Sequence, residues 1–230
     1  MQQYRTIFFD LDHTLWDYDT NSVEALSDLF HKYELHQAKG ITLDGFLKTF
    51  TKVNNKLWNN YNKGHIERED IRQKRFDKIL KNFGITDMDK SLMMSEEYIS
   101  ICPTKTNVFP YTFETLDYLK SKYNLYILTN GFDDVQHIKM NASKLAPYFK
   151  GVVTSDSGHR KPSREIFDYA LDKAKASNTE SIMIGDNLST DIAGAQNAEM
   201  DTVFFNPHKR EHKATVNYEI SCISQLVDIL

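Results

Sequence analysis

The chain has 230 residues, 40% hydrophobic and 12% aromatic, which is enough for one good core, or a core with a smaller appended module, and excludes a disordered chain. Its formal net charge is −4 and its Lys and Arg residues are dispersed, so no footprint for a nucleic-acid polymer or a membrane is present and the expected partner is a small molecule. Cys102 and Cys222 lie far apart in no metal-ligand spacing, which reads as two buried thiols in a reducing compartment; with no export or membrane signal near Met1, the expected location is the cytoplasm.

The first predicted element is a strand, Ile7-Phe8-Phe9, that ends abruptly in Asp10. From about Tyr18 to Ser100 the pattern is helical throughout. Val23, Leu26, Phe30 and Tyr33 form one stripe, and Phe46, Phe50, Val53, Leu57 and Tyr61 another. Then come a helix marked by Phe113, Leu116 and Leu119, and a strand over Leu125 to Leu128 that ends in Thr129-Asn130. A third strand, Val152-Val153, precedes Thr154-Ser155-Asp156, and a helix follows through Ile166, Phe167, Ala170, Leu171 and Ala174. Ile182-Met183-Ile184 runs into Gly185-Asp186, a short helix at Ile192 to Ala195 is opened by Ser189-Thr190-Asp191, and Val203-Phe204-Phe205 closes the series.

Short apolar strands alternating with helices predict an α/β fold with a doubly wound parallel sheet, in which a site forms beyond the carboxyl ends of the strands. The polar strand ends should therefore converge. The helical block interrupts this alternation after the first strand, so residues 18–100 are expected to form an inserted helical cap, with 1–17 and 101–230 making the core.

Asp10-Leu11-Asp12-His13-Thr14 sets two carboxylates two residues apart, and if the extended geometry persists they project from the same side. One can serve as a nucleophile held ionised by a cation while the other exchanges protons, the division of labour for covalent phosphoryl transfer. Alone, such a pair reads better as a solvated turn or a helix cap. Thr129 and Asn130 offer a hydroxyl, an amide and backbone N–H groups to phosphoryl oxygens, and Lys161, before Pro162, offers a point cation. Gly185-Asp186-Asn187-Leu188-Ser189-Thr190-Asp191 supplies a strand-end carboxylate and a second one five residues on, suited to an oxygen-rich magnesium site. Asp191 also fits as an ordinary first-turn helix aspartate.

Taken together in this order, Asp-x-Asp-x-Thr, the strand-end Thr, Lys-Pro and Gly-Asp-x-x-x-x-Asp resemble the haloacid dehalogenase-like hydrolase superfamily over nearly the whole chain. The resemblance implies a Rossmann-like core with a helical cap and an aspartyl-phosphate formed on Asp10. Asp12 would protonate the leaving oxygen and then deprotonate water. Mg2+ would be held by Asp10, the backbone carbonyl of Asp12 and Asp186, with Asp191 in support, while Thr129, Asn130 and Lys161 bind the phosphoryl group. An acid at position 12 argues against carbon–halogen cleavage, since a halide leaves without a proton. Phe9 to Asp17, the segment from Trp58 through Arg72 to Arg75-Phe76, and Tyr218-Glu219-Ile220 are similar to the pyrimidine 5'-nucleotidase subgroup. Trp58, Arg72 and Arg75 are accordingly candidate substrate contacts, although a core tryptophan and ordinary exposed helix charges explain them better.

Other readings keep the chemistry and change the acceptor or substrate, as a sugar-phosphate phosphatase or a phosphomutase. A phospho-acceptor signalling module also combines acids, a Thr and a Lys on a parallel sheet. Such receivers, however, are about half this length and carry their Asp on a middle strand. Oligomeric state is not encoded by any heptad or apolar stretch.

Overall fold

A computed structural model describes residues 4–38 and 40–230. The chain divides into two compact units, one comprising the residues up to Tyr18 together with Thr106–Leu230, the other Asp19–Lys105.

In chain order the elements are strand β1 (Thr6–Phe9), helices α1 (Tyr18–Lys32), α2 (Leu43–Asn62), α3 (Arg68–Asn82), α4 (Met88–Ile101) and α5 (Thr112–Lys120), then β2 (Asn124–Leu128), α6 (Asp133–Ala142), β3 (Gly151–Val153), α7 (Arg164–Ala174), β4 (Ser181–Gly185), α8 (Ala193–Asn197), β5 (Asp201–Phe205), β6 (Tyr218–Ile220) and α9 (Leu226–Ile229). The sheet is six-stranded and parallel, in the order β3-β2-β1-β4-β5-β6. All five strands expected from the apolar runs are present. The sixth, β6, gave no strand signal, because it is three residues long and two of them are exposed.

β1 lies inside the sheet, and every residue of it is buried, as the uninterrupted apolar run requires of a strand covered on both faces. Phe8 joins a core cluster with Met183 of β4, Ile166, Phe167 and Ala170 of α7, and Ala195 of α8. Phe9 points to the opposite face and meets the ring of Phe149 edge-on at 6.1 Å. The sheet register positions the site: Phe9 is paired with Ile127 on one side and Ile184 on the other, so the polar residues after all three strands emerge at one edge.

The helical unit is built on α2, α3 and α4. Phe46, Phe50, Leu57 and Tyr61 of α2 are buried, as the stripe predicts, while its fifth member, Val53, is only half-buried; Thr42 caps the helix by accepting the N–H of Gly45 at 3.1 Å. In α1 the stripe needs correcting. Its buried face is Ser22, Ala25, Leu26, Leu29 and Phe30, and Val23 is 45% exposed, since Ala25 and Leu29, not Val23, share the 3.6-residue face with Leu26 and Phe30. Among the described residues no helix is long and apolar enough to cross a membrane. Neither cysteine is in a disulfide; Cys102 is buried, whereas Cys222 is only half-buried, unlike the buried pair expected.

Candidate active site

β1 stops where Asp10 donates its backbone N–H to the carbonyl of Ile184 at 2.9 Å, still in register with the sheet. The chain then wraps around Leu11, whose carbonyl accepts the N–H groups of Thr14, Leu15 and Trp16 at 3.4, 3.0 and 2.9 Å. His13 turns through the left-handed region, with φ of 61°. This tight loop fixes both acids of the Asp-x-Asp pair, and it puts Thr14, fully buried, within 3.4 Å of Asp186 Oδ1.

Lys161 is the hub of the cluster. It is 1% exposed, and its Nζ donates to Asp10 Oδ1, Asp191 Oδ1 and the carbonyl of Leu128, each at 2.7 Å, so all three ammonium protons are engaged. Asn130 locks the Lys161 loop in place: its Nδ2 donates to the Lys161 carbonyl at 2.8 Å and its Oδ1 accepts the Lys161 N–H at 2.7 Å. The amide expected to face a phosphoryl group is thus occupied with backbone. Asp191 sits in a π-helical turn, Leu188–Ile192, and its Oδ2 accepts the Asn187 N–H at 3.1 Å. That carboxylate folds back over Gly185 so closely that a Cβ there would lie 2.3 Å from Asp191 Oδ2, which explains the glycine.

Carboxylate oxygens of Asp10, Asp186 and Asp191 lie within 4.8 Å of one another. Three carboxylates around one ammonium leave two negative charges uncompensated in a nearly dry site. Burial pushes the Asp10 carboxyl up to about 7, with the pull of Lys161 opposing and the Asp191 charge adding to the rise. Burial and the neighbouring Asp191 and Asp10 likewise hold Asp186 well above the carboxylate range. Lys161 moves up too: burial disfavours its charge, and the two carboxylates outweigh that. The donors are hard oxygens only, and the excess charge matches a divalent cation, so the residues fit a magnesium ion.

Asp12 has a different environment. Lys139 Nζ donates to its Oδ1 at 2.6 Å and its Oδ2 at 2.8 Å, and Gln136 Nε2 donates to Oδ2 at 3.0 Å. Burial works to raise its pKa, but the Lys139 pairing and the hydrogen bonds win and hold the carboxyl below its usual range. The two acids of one motif therefore sit in different surroundings, Asp10 raised by burial in the acidic cluster and Asp12 lowered by its pairing with Lys139. Thr129 is buried, and its Oγ1 accepts Gln136 Nε2 at 2.8 Å and the Gly131 N–H at 3.1 Å.

Asp10, Asp12, Thr129, Asn130, Lys161, Asp186 and Asp191 thus come together at the carboxyl edge of β1, β2 and β4. Trp58, Arg72 and Arg75 belong to the helical unit. Trp58 and Arg72 are half-buried. Arg75 is only 7% exposed, its guanidinium stacked 5.1 Å from the ring of Tyr98 and 5.9 Å from that of Phe50, in place of the exposed helix charge its type suggests. Gln136 and Lys139 carried no sequence signal, because α6 buries them at positions where an amphipathic helix would show apolar residues.

An acidic cluster at the carboxyl edge of a parallel α/β sheet, around a strand-borne Asp-x-Asp, defines a hydrolase of the haloacid dehalogenase type. Residues 4–199 match the haloacid dehalogenase-like hydrolases, and the chain belongs to that family. It is 30% identical to the HAD-hydrolase YfnB of Bacillus subtilis, over 100% of this chain and 97% of the relative. A crystal structure of YfnB bound to magnesium, described as revealing interdomain movement, superposes with a TM-score of 0.89 at 29% identity, covering 99% of this chain and 98% of that one. The pyrimidine 5'-nucleotidase PynA of Streptococcus pneumoniae is 29% identical over 99% of this chain and 95% of its own length. A glyceraldehyde 3-phosphate phosphatase of Methanothermobacter thermautotrophicus is 31% identical over 98% and 99%. The protein is an enzyme, a hydrolase with nucleotidases and phosphatases among its relatives.

Proposed function

We propose that the enzyme is a magnesium-dependent phosphomonoester hydrolase that works through an aspartyl-phosphate on Asp10 and prefers pyrimidine nucleoside 5'-monophosphates. The observation that carries the reading is the separation of the two acids: Asp10 lies in the Lys161–Asp186–Asp191 cluster, and Asp12 is held apart by Lys139 and Gln136.

Asp10 supplies the attacking oxygen. Lys161 holds that carboxylate in place and offsets charge on the phosphoryl group through space, since its own protons are all engaged. Thr129 already accepts two hydrogen bonds at Oγ1, which leaves its O–H free to donate to a phosphoryl oxygen. Asn130 contributes by registering the Lys161 loop and through its backbone. Asp12 gives its proton to the leaving alcohol and takes one from the water that hydrolyses the intermediate. Magnesium would be held by Asp10, Asp186 and the Asp12 carbonyl, with Asp191 behind them, and when bound it supplies positive charge for the phosphoryl oxygens and for the nucleophile.

Substrate choice is assigned to the helical unit as a cap over residues 18–100, with Trp58 and Arg72 the stronger candidates and Arg75 a packing residue first. The similarity to PynA supports the pyrimidine preference. The similarity to the glyceraldehyde 3-phosphate phosphatase supports a sugar or triose phosphate as the second reading. Two cysteines that form no disulfide, Cys102 and Cys222, support a cytoplasmic setting.

The test is phosphate release from nucleoside monophosphates, sugar phosphates and p-nitrophenyl phosphate, with magnesium and then with EDTA. Magnesium-dependent release favouring UMP and CMP is expected. A preference for sugar phosphates keeps the mechanism and discards the substrate, and no release from any ester discards both.

A further inference from the structure

Helix α6 buries two polar side chains on one face, Gln136 with no exposure and Lys139 with 5%. An amide and an ammonium withdrawn from water are costly unless matched, and both are matched on the same group, the carboxylate of Asp12. Lys139 contacts both of its oxygens, at 2.6 and 2.8 Å, and Gln136 contacts one of them at 3.0 Å. A carboxylate held by a single donor can pivot about its Cβ–Cγ bond. Three contacts from two side chains, spaced three residues apart on one helix face, remove that freedom.

The donors are themselves fixed. The Lys139 ammonium lies 4.6 Å from the ring centroid of Trp16 and 5.8 Å from that of Tyr18. Gln136 Nε2 also donates to Thr129 Oγ1 at 2.8 Å. The loop after Thr129 makes room for it: a Cβ on Gly131 would stand 2.3 Å from Gln136 Nε2, so only glycine lets the amide reach Asp12.

Resting on the phosphatase reading, we infer that Gln136 and Lys139 are the positioning residues of Asp12, setting the direction in which its carboxyl group meets the leaving oxygen and then the water. In the first half-reaction Asp10 attacks phosphorus, the phosphorus–oxygen bond to the alcohol breaks, and the Asp12 proton goes to that oxygen. In the second, water attacks phosphorus, its proton goes to Asp12, and the phosphorus–oxygen bond to Asp10 breaks. Gln136 and Lys139 exchange no proton in either. A misdirected Asp12 therefore slows every step that needs its proton and spares the one that does not, the departure of a stable phenolate.

The experiment compares parent and Lys139→Met, with magnesium, on the best alkyl phosphomonoester and on p-nitrophenyl phosphate. For the alkyl ester kcat/KM is expected to fall on the order of 100-fold, and for the aryl ester less than about 3-fold. With the aryl ester kcat and KM should fall together, with a burst of p-nitrophenolate, as the aspartyl-phosphate accumulates. Lys139→Arg, whose fork can span both carboxylate oxygens, should recover part of the alkyl activity. Gln136→Leu should show the same pattern at about 10-fold, one contact being lost instead of two. It also decides the matter should Lys139→Met fail to fold, because the Gln136 Oε1 is buried without a partner and its removal relieves that cost. Equal losses on both esters, or unchanged kinetics, would overturn the assignment while leaving the phosphatase reading intact. A parent protein inactive on both esters removes the phosphatase reading, and this assignment with it.

Discussion

Replacing Lys161 with methionine keeps the bulk of the side chain and deletes its charge. In the parent its Nζ is bonded at 2.7 Å to Asp10, to Asp191 and to the Leu128 carbonyl, in a site where the residue is 1% exposed. Removing one partner of a buried ion pair costs about 3–5 kcal/mol, because the remaining charge stays out of water uncompensated. In a chain of this length that is a drop in Tm on the order of 10 °C. The loss depends on pH, and Asp10 sets the sign. A carboxyl raised from 3.8 to about 7 binds more protons folded than unfolded across that interval, so folding stability declines as pH rises through it. Lys161 is the largest influence opposing that rise, and without it the upper end of the interval moves higher still. Near pH 5 Asp10 is protonated in both proteins and has little charge to compensate; at pH 8 the parent's Asp10 ionises beside its partner, while the variant's either keeps its proton or carries an uncompensated charge. Thermal melts in EDTA at pH 5 and pH 8 should therefore show a clearly larger deficit for Lys161→Met at pH 8. A deficit of the same size at both pH values, or none at pH 8, refutes the charge-cluster account.

Asp10→Asn should abolish phosphate release in a folded protein and, by taking a raised carboxylate out of the cluster, increase Tm in EDTA at pH 8 by several degrees; near-parental turnover would remove Asp10 from its role. Gly185→Ala would drive a methyl group to 2.3 Å from Asp191 Oδ2, on a carboxylate that Lys161 holds at Oδ1 and the Asn187 N–H holds at Oδ2. A stability loss of about 1–3 kcal/mol by chemical denaturation, with a fall in turnover, is expected, and parental values for both would show that Asp191 can move.

The strands and the residues at their ends were legible for one physical reason. A strand buried on both faces must be apolar along its length, and the chain can turn polar only where the strand leaves the sheet, so Asp10, Thr129 and Asp186 announce themselves at sharp boundaries. Lys161 and Asp191 were legible through their neighbours in short motifs, but their shared ion pair was not, since thirty positions separate them and only the folded loop turns both toward Asp10. The helical block was read from its stripes, with the error at Val23 arising where a small residue, Ala25, takes the buried place. β6 escaped because two of its three residues face solvent.

Helix α6 has no apolar signature in the sequence, and the reason bears on function. Periodicity finds helices by apolar residues at the buried positions, yet α6 buries Gln136, Lys139 and Met140 while Ile138 is 41% exposed. A helix patterned for its own stability would reverse that arrangement. Burying an ammonium and an amide is tolerable only because Asp12, more than 120 residues earlier in the chain, supplies a partner for both. Local sequence rules therefore fail in α6 at the place where the fold gives up helix amphipathicity to fix the orientation of one acid, and such failures are expected at sites under functional constraint.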